Sequence, residues 1–97
     1  MDARVRLMGM VRHIVKDGEL RLSLPEEATV EDLLKALTDR YGDNFRERIF
    51  ARGNELSRSV KIFINNEAIN GLGQSLRTQA PGAPEITVMV FSSVSGG

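Results

Sequence analysis

Between Thr29 and Gly42 the apolar residues recur at helical spacing, whereas the clearest apolar patterns elsewhere in the chain repeat every second residue. Val30, Leu33, Leu34, Leu37 and Tyr41 make one stripe, with Glu31, Asp32, Lys35 and Asp39 off it. An i, i+3, i+4 stripe of this kind is the buried face of an amphipathic helix. Thr29-Val30-Glu31-Asp32 has the form of a capping box, with Asp in place of the usual Glu or Gln. Gly42 suits the position just past the helix end, where a left-handed residue is commonly needed. One such helix among strands must bury its stripe against a sheet, which gives a two-layer α+β domain.

The strands follow from alternation. Residues 4–11 place Val5 and Leu7 inward and Arg4 and Arg6 outward, and residues 19–24 place Leu20, Leu22 and Leu24 on one face. Asp17-Gly18 between them predicts a hairpin turn. Pro25 ends the second strand because it lacks the N–H that a ladder needs. After the helix, residues 43–50 suggest a short second helix carrying Phe45, Ile49 and Phe50, and residues 51–59 read as a polar surface loop. Residues 60–65 form a strand with Val60, Ile62 and Ile64 inward, Asn65-Asn66 a turn, and residues 67–69 a short strand. Residues 70–84 are an irregular connection anchored by Leu72 and Leu76, and residues 85–91 are the last strand, with Ile86, Val88 and Val90 on one face.

The long connection between the first and last strands permits them to lie side by side and parallel at the sheet centre. The arrangement expected is the β-grasp, or ubiquitin-like, fold: a mixed sheet of about four or five strands packed on one main helix. Residues 1–91 form this domain, and residues 92–97 a flexible C-terminal tail.

Composition closes off several functions. With 13 basic and 13 acidic residues, net charge gives no reason to propose nucleic acid or an anionic membrane as a partner. No cysteine is present, so the chain has no disulfide, thiolate metal site or nucleophilic thiol. Its 97 residues hold no apolar run of membrane-spanning length, and Met1-Asp2-Ala3-Arg4 does not read as a signal peptide. A cytoplasmic location is the simplest expectation. His13 stands alone and reads as a surface residue. Asp43, Glu47 and Glu55 match no metal-loop spacing, and Gly71-Leu72-Gly73 lacks the lysine and strand of a phosphate loop. No catalytic constellation or bound cofactor is expected.

Two features remain. If the inward residues above meet the helix, the opposite sheet face should be polar. Instead it carries Met8, Phe63, Met89 and Phe91, with Met10 near them. A contiguous apolar patch of this kind marks a protein-binding surface, unless residues 51–59 or 70–84 fold over it. The second feature is the end, Val94-Ser95-Gly96-Gly97. Without Cβ atoms, a Gly-Gly end is thin enough to thread a narrow channel and present its carboxylate to another protein's reactive centre. The six residues from Ser92 to Gly97 reach roughly 20 Å when extended.

The final strand running into a Gly96-Gly97 end, the preceding Val94 and the segment Val60-Lys61-Ile62-Phe63-Ile64-Asn65-Asn66 together resemble the MoaD/ThiS sulfur-carrier family over essentially the whole chain. Its length, and the insertion between helix and third strand, resemble most the small subunit of molybdopterin synthase. The resemblance implies a substrate protein rather than a catalyst. A ubiquitin-activating-like enzyme would use ATP to adenylate the Gly97 carboxylate, with Gly96 giving it clearance. Sulfur transfer would convert the adenylate to a thiocarboxylate. The large subunit of the synthase, or another acceptor, would take the sulfur, with Val94 anchoring the approach and Met8, Phe63, Met89 and Phe91 forming the docking face. Family tails commonly carry a stiff proline pair where this chain has Ser92-Ser93. Alternatives with the same activation step are a sulfur carrier for cysteine or thiamine biosynthesis and a ubiquitin-like modifier joined to lysines through Gly97. A non-covalent β-grasp interaction module would not use the tail at all.

Overall fold

The computed structural model describes residues 1–53 and 55–92. The expected residues Val94, Gly96 and Gly97 lie outside the described residues. The chain runs β1 (Asp2–Gly9), two 3-10 turns (Arg12–Ile14 and Lys16–Gly18), β2 (Glu19–Ser23), α1 (Val30–Tyr41), α2 (Asp43–Ile49), β3 (Phe50–Arg52), β4 (Glu55–Leu56), β5 (Val60–Ile64), β6 (Glu67–Ala68) and β7 (Glu85–Val90). Five strands form one mixed sheet in the order β2-β1-β7-β5-β6. β1 and β7 are parallel at its centre, and the other pairs are antiparallel. This is the β-grasp arrangement that the strand order predicted. No helix among the described residues is long and apolar enough to cross a membrane.

The core lies between the sheet's inner face and the two helices. Val30, Leu33, Leu34 and Leu37 of α1 are fully buried, as are Phe45 and Ile49 of α2. They join Val5, Leu7, Ile62, Ile64, Ile86, Val88 and Val90 from the three central strands. Tyr41, at the end of the stripe, is only half-buried. At the other end of α1 the capping box is complete. Thr29 Oγ1 accepts from Asp32 N at 3.3 Å, and Asp32 Oδ2 accepts from Thr29 N at 2.9 Å.

Two further helix-start donors are satisfied from a distance. Val30 N donates to the Gln74 carbonyl and Glu31 N to the Leu72 carbonyl, both at 2.9 Å. The irregular connection is therefore a cap for α1, held in place by buried Leu76 and half-buried Leu72. Helix starts leave several N–H groups without intrahelical partners, so a buried start requires such acceptors.

Three expectations need correction. The hairpin is not tight: β1 ends at Gly9, and nine residues containing both 3-10 turns lead to β2. Asp17 (φ 64°) and Gly18 (φ 68°) do turn the chain left-handed, but inside this longer connection. Buried Val11 pins it to the core, which a two-residue loop could not do. The segment expected as a plain loop contains an antiparallel ribbon, with Phe50 facing Leu56 and Arg52 facing Glu55. Finally, β7 stops at Val90 rather than at Phe91. The second helix, the Asn65-Asn66 turn (φ 49° and 71°) and the short strand after it form as expected.

Candidate functional site

β7 carries the chain toward its C-terminal residues, and its last residue is gripped from both sides. Met10 N donates to the Val90 carbonyl at 2.8 Å, and Phe91 N donates to the Ser59 carbonyl at 2.9 Å. Gly9 makes the first contact possible. Its φ is +70°, and a Cβ there would stand 2.1 Å from the Val90 carbonyl oxygen. A glycine inside a strand pattern often marks such a close backbone approach, and Gly9 was readable in this way from the sequence. The clamp sets where Phe91 and Ser92 leave the sheet.

The alternation of β7 separates two surfaces. Ile86, Val88 and Val90 are buried, whereas Thr87 and Met89 are half-buried on the opposite face. Met8 of β1 faces Met89 directly across the parallel pair. On the other side Lys61 faces Met89, and Phe63 faces Thr87, which sets Phe63 diagonal to Met89. Neighbours in direct or diagonal register are within reach of long and aromatic side chains. Met8, Phe63 and Met89 therefore form one patch, and none of them belongs to the core cluster. Their outward neighbours Arg4, Arg6, Arg21 and Lys61 are exposed, so this face is open to solvent.

Phe91 and Met10 stand at the exit, 51% and 41% exposed, the only large hydrophobic residues so exposed among those described. The register does not join Phe91 to Met8, Phe63 and Met89 as the sequence suggested, because β7 has already ended at Val90. Phe91 and Met10 line a groove of about 400 Å³ together with Glu47 and Arg48 of α2 and with Ser57 and Ser59; none of Met8, Phe63 and Met89 lines it. The buried Arg48 Nε on its wall has no hydrogen-bond partner among the described residues. Sequence reading gave no signal for Arg48, because only the tertiary fold brings α2 to the end of β7.

Far from the exit the same sheet face becomes charged. Arg4 pairs with Glu85, and Arg6 pairs with Glu19 at 3.6 Å. His13 is exposed, as expected. Among the described residues no group of three or more His, Cys, Asp or Glu side chains is arranged to hold a metal ion. The arrangement contains, among the described residues, no nucleophile–base pair that the sequence or the register singles out. What it offers is an open face for a partner and a fixed exit point for the chain beside it.

The sequence profile of the ThiS family matches residues 5–97, a span that includes both β7 and Gly96-Gly97. The chain belongs to the ThiS family. Three solved structures are similar to this ThiS-family chain. Small archaeal modifier protein 1 from Methanosarcina acetivorans is 33% identical over 99% of this chain and 96% of its own, with a TM-score of 0.69. A Pyrococcus furiosus protein described as molybdopterin converting factor subunit 1 is 22% identical over 95% of this chain and 99% of its own, with a TM-score of 0.73. Amycolatopsis orientalis CysO, solved in complex with BexX, is matched at 15% identity over 94% of this chain and 97% of that one, with a TM-score of 0.70. At 22% and 15% identity the last two speak for the fold alone. No curated protein sequence matches the ThiS-family chain closely enough to add to these.

Proposed function

We propose that this chain is a sulfur carrier whose Gly97 carboxylate is adenylated with ATP by a ubiquitin-activating-like enzyme and converted to a thiocarboxylate. The observation that carries the reading is the family match, which spans residues 5–97 and so includes the Gly-Gly end. The outer face supports it: Met8, Phe63 and Met89 offer a docking surface beside the point where the chain leaves the sheet. The chain then acts as a substrate for two proteins in turn, the activating enzyme and the sulfur acceptor. For the acceptor we favour the large subunit of molybdopterin synthase, on the strength of the chain length and the segment between α1 and β5. Carriers for cysteine or thiamine biosynthesis use the same chemistry with a different acceptor.

Intact mass spectrometry tests this. After incubation with ATP, the activating enzyme and a sulfur source, the chain should gain the mass difference between sulfur and oxygen at its terminus. Deleting Gly97 should abolish the gain without loss of the folded body, whose core residues all precede the tail. A truncated chain that still takes up sulfur at its end would overturn the proposal.

The 33% identity to an archaeal modifier protein favours a second reading, in which the activated carboxylate is joined to lysine amines of other proteins. Peptide mapping of cell lysate for lysines that carry the C-terminal branch decides between them; with no Lys or Arg after Arg77, trypsin leaves residues 78–97 on the modified lysine. Adducts that need Gly97 support the modifier, and sulfur uptake without adducts supports the carrier.

A further inference from the structure

The charged end of the outer face contains a conflict. Arg4 stands directly opposite Arg21 in the β1–β2 register. Facing Cβ atoms in such a pair are about 4.5–5.5 Å apart, and like charges there are destabilising. Arg4 is drawn toward Glu85 on its other side, and Arg6 is paired with Glu19. Arg21, exposed on the edge strand, makes no ion pair among the described residues. Guarding the edge against strand pairing does not explain it, since any charge would serve. A glutamate at this position would guard the edge equally well and would also pair with Arg4.

A local choice that opposes the fold, with no gain inside it, points to something outside the fold. Arg4, Arg6, Arg21, Glu19, Glu85 and Thr87 line a depression of about 430 Å³. Its three guanidinium groups face two carboxylates on its own wall. A third carboxylate, Asp2, stands beside Arg4 and Arg21 where the next depression adjoins. The feature that is left without compensation is the direct Arg4–Arg21 facing pair. Arg6 and Thr87 lie two register positions from Met8 and Met89, the next pair on the same face, so the first depression adjoins the apolar patch.

We propose that Arg21 and Arg4 form a notch for a carboxylate side chain on an acidic segment of the protein that docks on the outer face. The proposal rests on the reading of that face as the docking surface for the activating enzyme. A guanidinium fork matches a carboxylate in two parallel hydrogen bonds. Glu19 and Glu85 at the rim disfavour a dianionic phosphate far more than a singly charged carboxylate. Arg21 thus gives the docking register and partner choice, and the apolar patch gives contact area.

Arg21→Glu separates this role from folding, because it places a carboxylate opposite Arg4 and removes the repulsion. Its urea midpoint should stay close to that of the wild type, because the gain opposite Arg4 is offset by Glu19 two residues along the same strand face. In a titration with hexaglutamate peptide at low salt, followed by amide NMR, wild-type shifts should saturate and centre on residues 4 and 21. Arg21→Glu should weaken the peptide about tenfold or more, and Arg40→Glu on α1 should not. Shifts spread equally over the other arginines, or unchanged in Arg21→Glu, overturn the notch. In ATP–pyrophosphate exchange with the activating enzyme, Arg21→Glu should raise KM about tenfold with little change in kcat. An unchanged KM overturns the proposal while the carrier function stands. If the wild type itself supports no exchange, the carrier reading falls and the peptide titration still decides the notch.

Discussion

The two faces of β7 are built from one run of six residues and serve opposite ends. Ile86, Val88 and Val90 are at most 4% exposed and hold the sheet to α1. Thr87 and Met89, each one residue away, contribute nothing to that core and face solvent with Met8 and Phe63. Because side chains alternate strictly along a strand, the core face and the solvent face proposed for docking are separated by a single position. The opposite layout occurs at Gly9, where both demands fall on one residue: it closes the sheet and sets the exit of the chain.

The sharpest test of this division is an Asp scan over neighbouring positions. Val88→Asp puts a carboxylate in the fully buried centre of the core with no partner, a change that costs about 4–5 kcal/mol or more. Domains of this size have about 5–10 kcal/mol to lose, so circular dichroism should show most of the protein unfolded or close to its midpoint at 25 °C. Met89→Asp should leave the urea midpoint nearly unchanged. It loses the contact with Met8 but gains an opposite charge facing Lys61, each worth about 0.2–1 kcal/mol. Its effect should fall on partner binding. Equal stability loss at both positions would erase the distinction between the faces.

Gly9→Ala should be the largest effect after Val88→Asp. An alanine at φ +70° costs about 1–2 kcal/mol, and its Cβ would displace the Val90 carbonyl that Met10 N bonds. With that hydrogen bond, a total of about 2–3 kcal/mol is expected in chemical denaturation. Amide exchange should quicken first at Met10 and Phe91, the two donors of the clamp, before it quickens at Val88.

Much of this was legible beforehand because its signals are local. The capping residues, the four buried positions of α1 and the alternation of β1, β5 and β7 are repeated often enough to declare their period. The β3–β4 ribbon was not legible, since strands of three and two residues are too short to show alternation. The capping of α1 by residues 72 and 74 depends on tertiary contact, for which Gly- and Pro-rich sequence gives no pattern. The outer patch was readable as an excess of apolar residues where polar ones were due. Its charged continuation was not, because Arg4 and Arg21 look like ordinary outward residues until the register sets them face to face.

Thr29→Ala tests the helix end of the core more gently. It removes the hydroxyl that accepts from Asp32 N, and N-cap losses of this kind cost about 1 kcal/mol. The remote carbonyls of Leu72 and Gln74 still hold the Glu31 and Val30 donors, so the loss should stay within a single cap's worth. A loss several times larger would show that the connection and the helix start unfold as one unit.

Ser92→Pro should have the smallest effect, and on recognition alone. Ser92 is exposed just beyond the clamp, so stiffening it should leave the denaturation midpoint unchanged. Proline there removes backbone freedom that the chain would otherwise lose when a partner threads it, worth about 0.4–1 kcal/mol. If the tail is threaded as proposed, the KM for activation should fall about two- to fivefold with kcat unchanged. The same substitution should leave hexaglutamate binding at Arg21 unaltered, because that notch is at the other end of the face. A change in peptide binding would mean that the tail and the charged end are coupled. The two ends of the sheet would then act as one surface, and the separation of roles by position along the strand would fail.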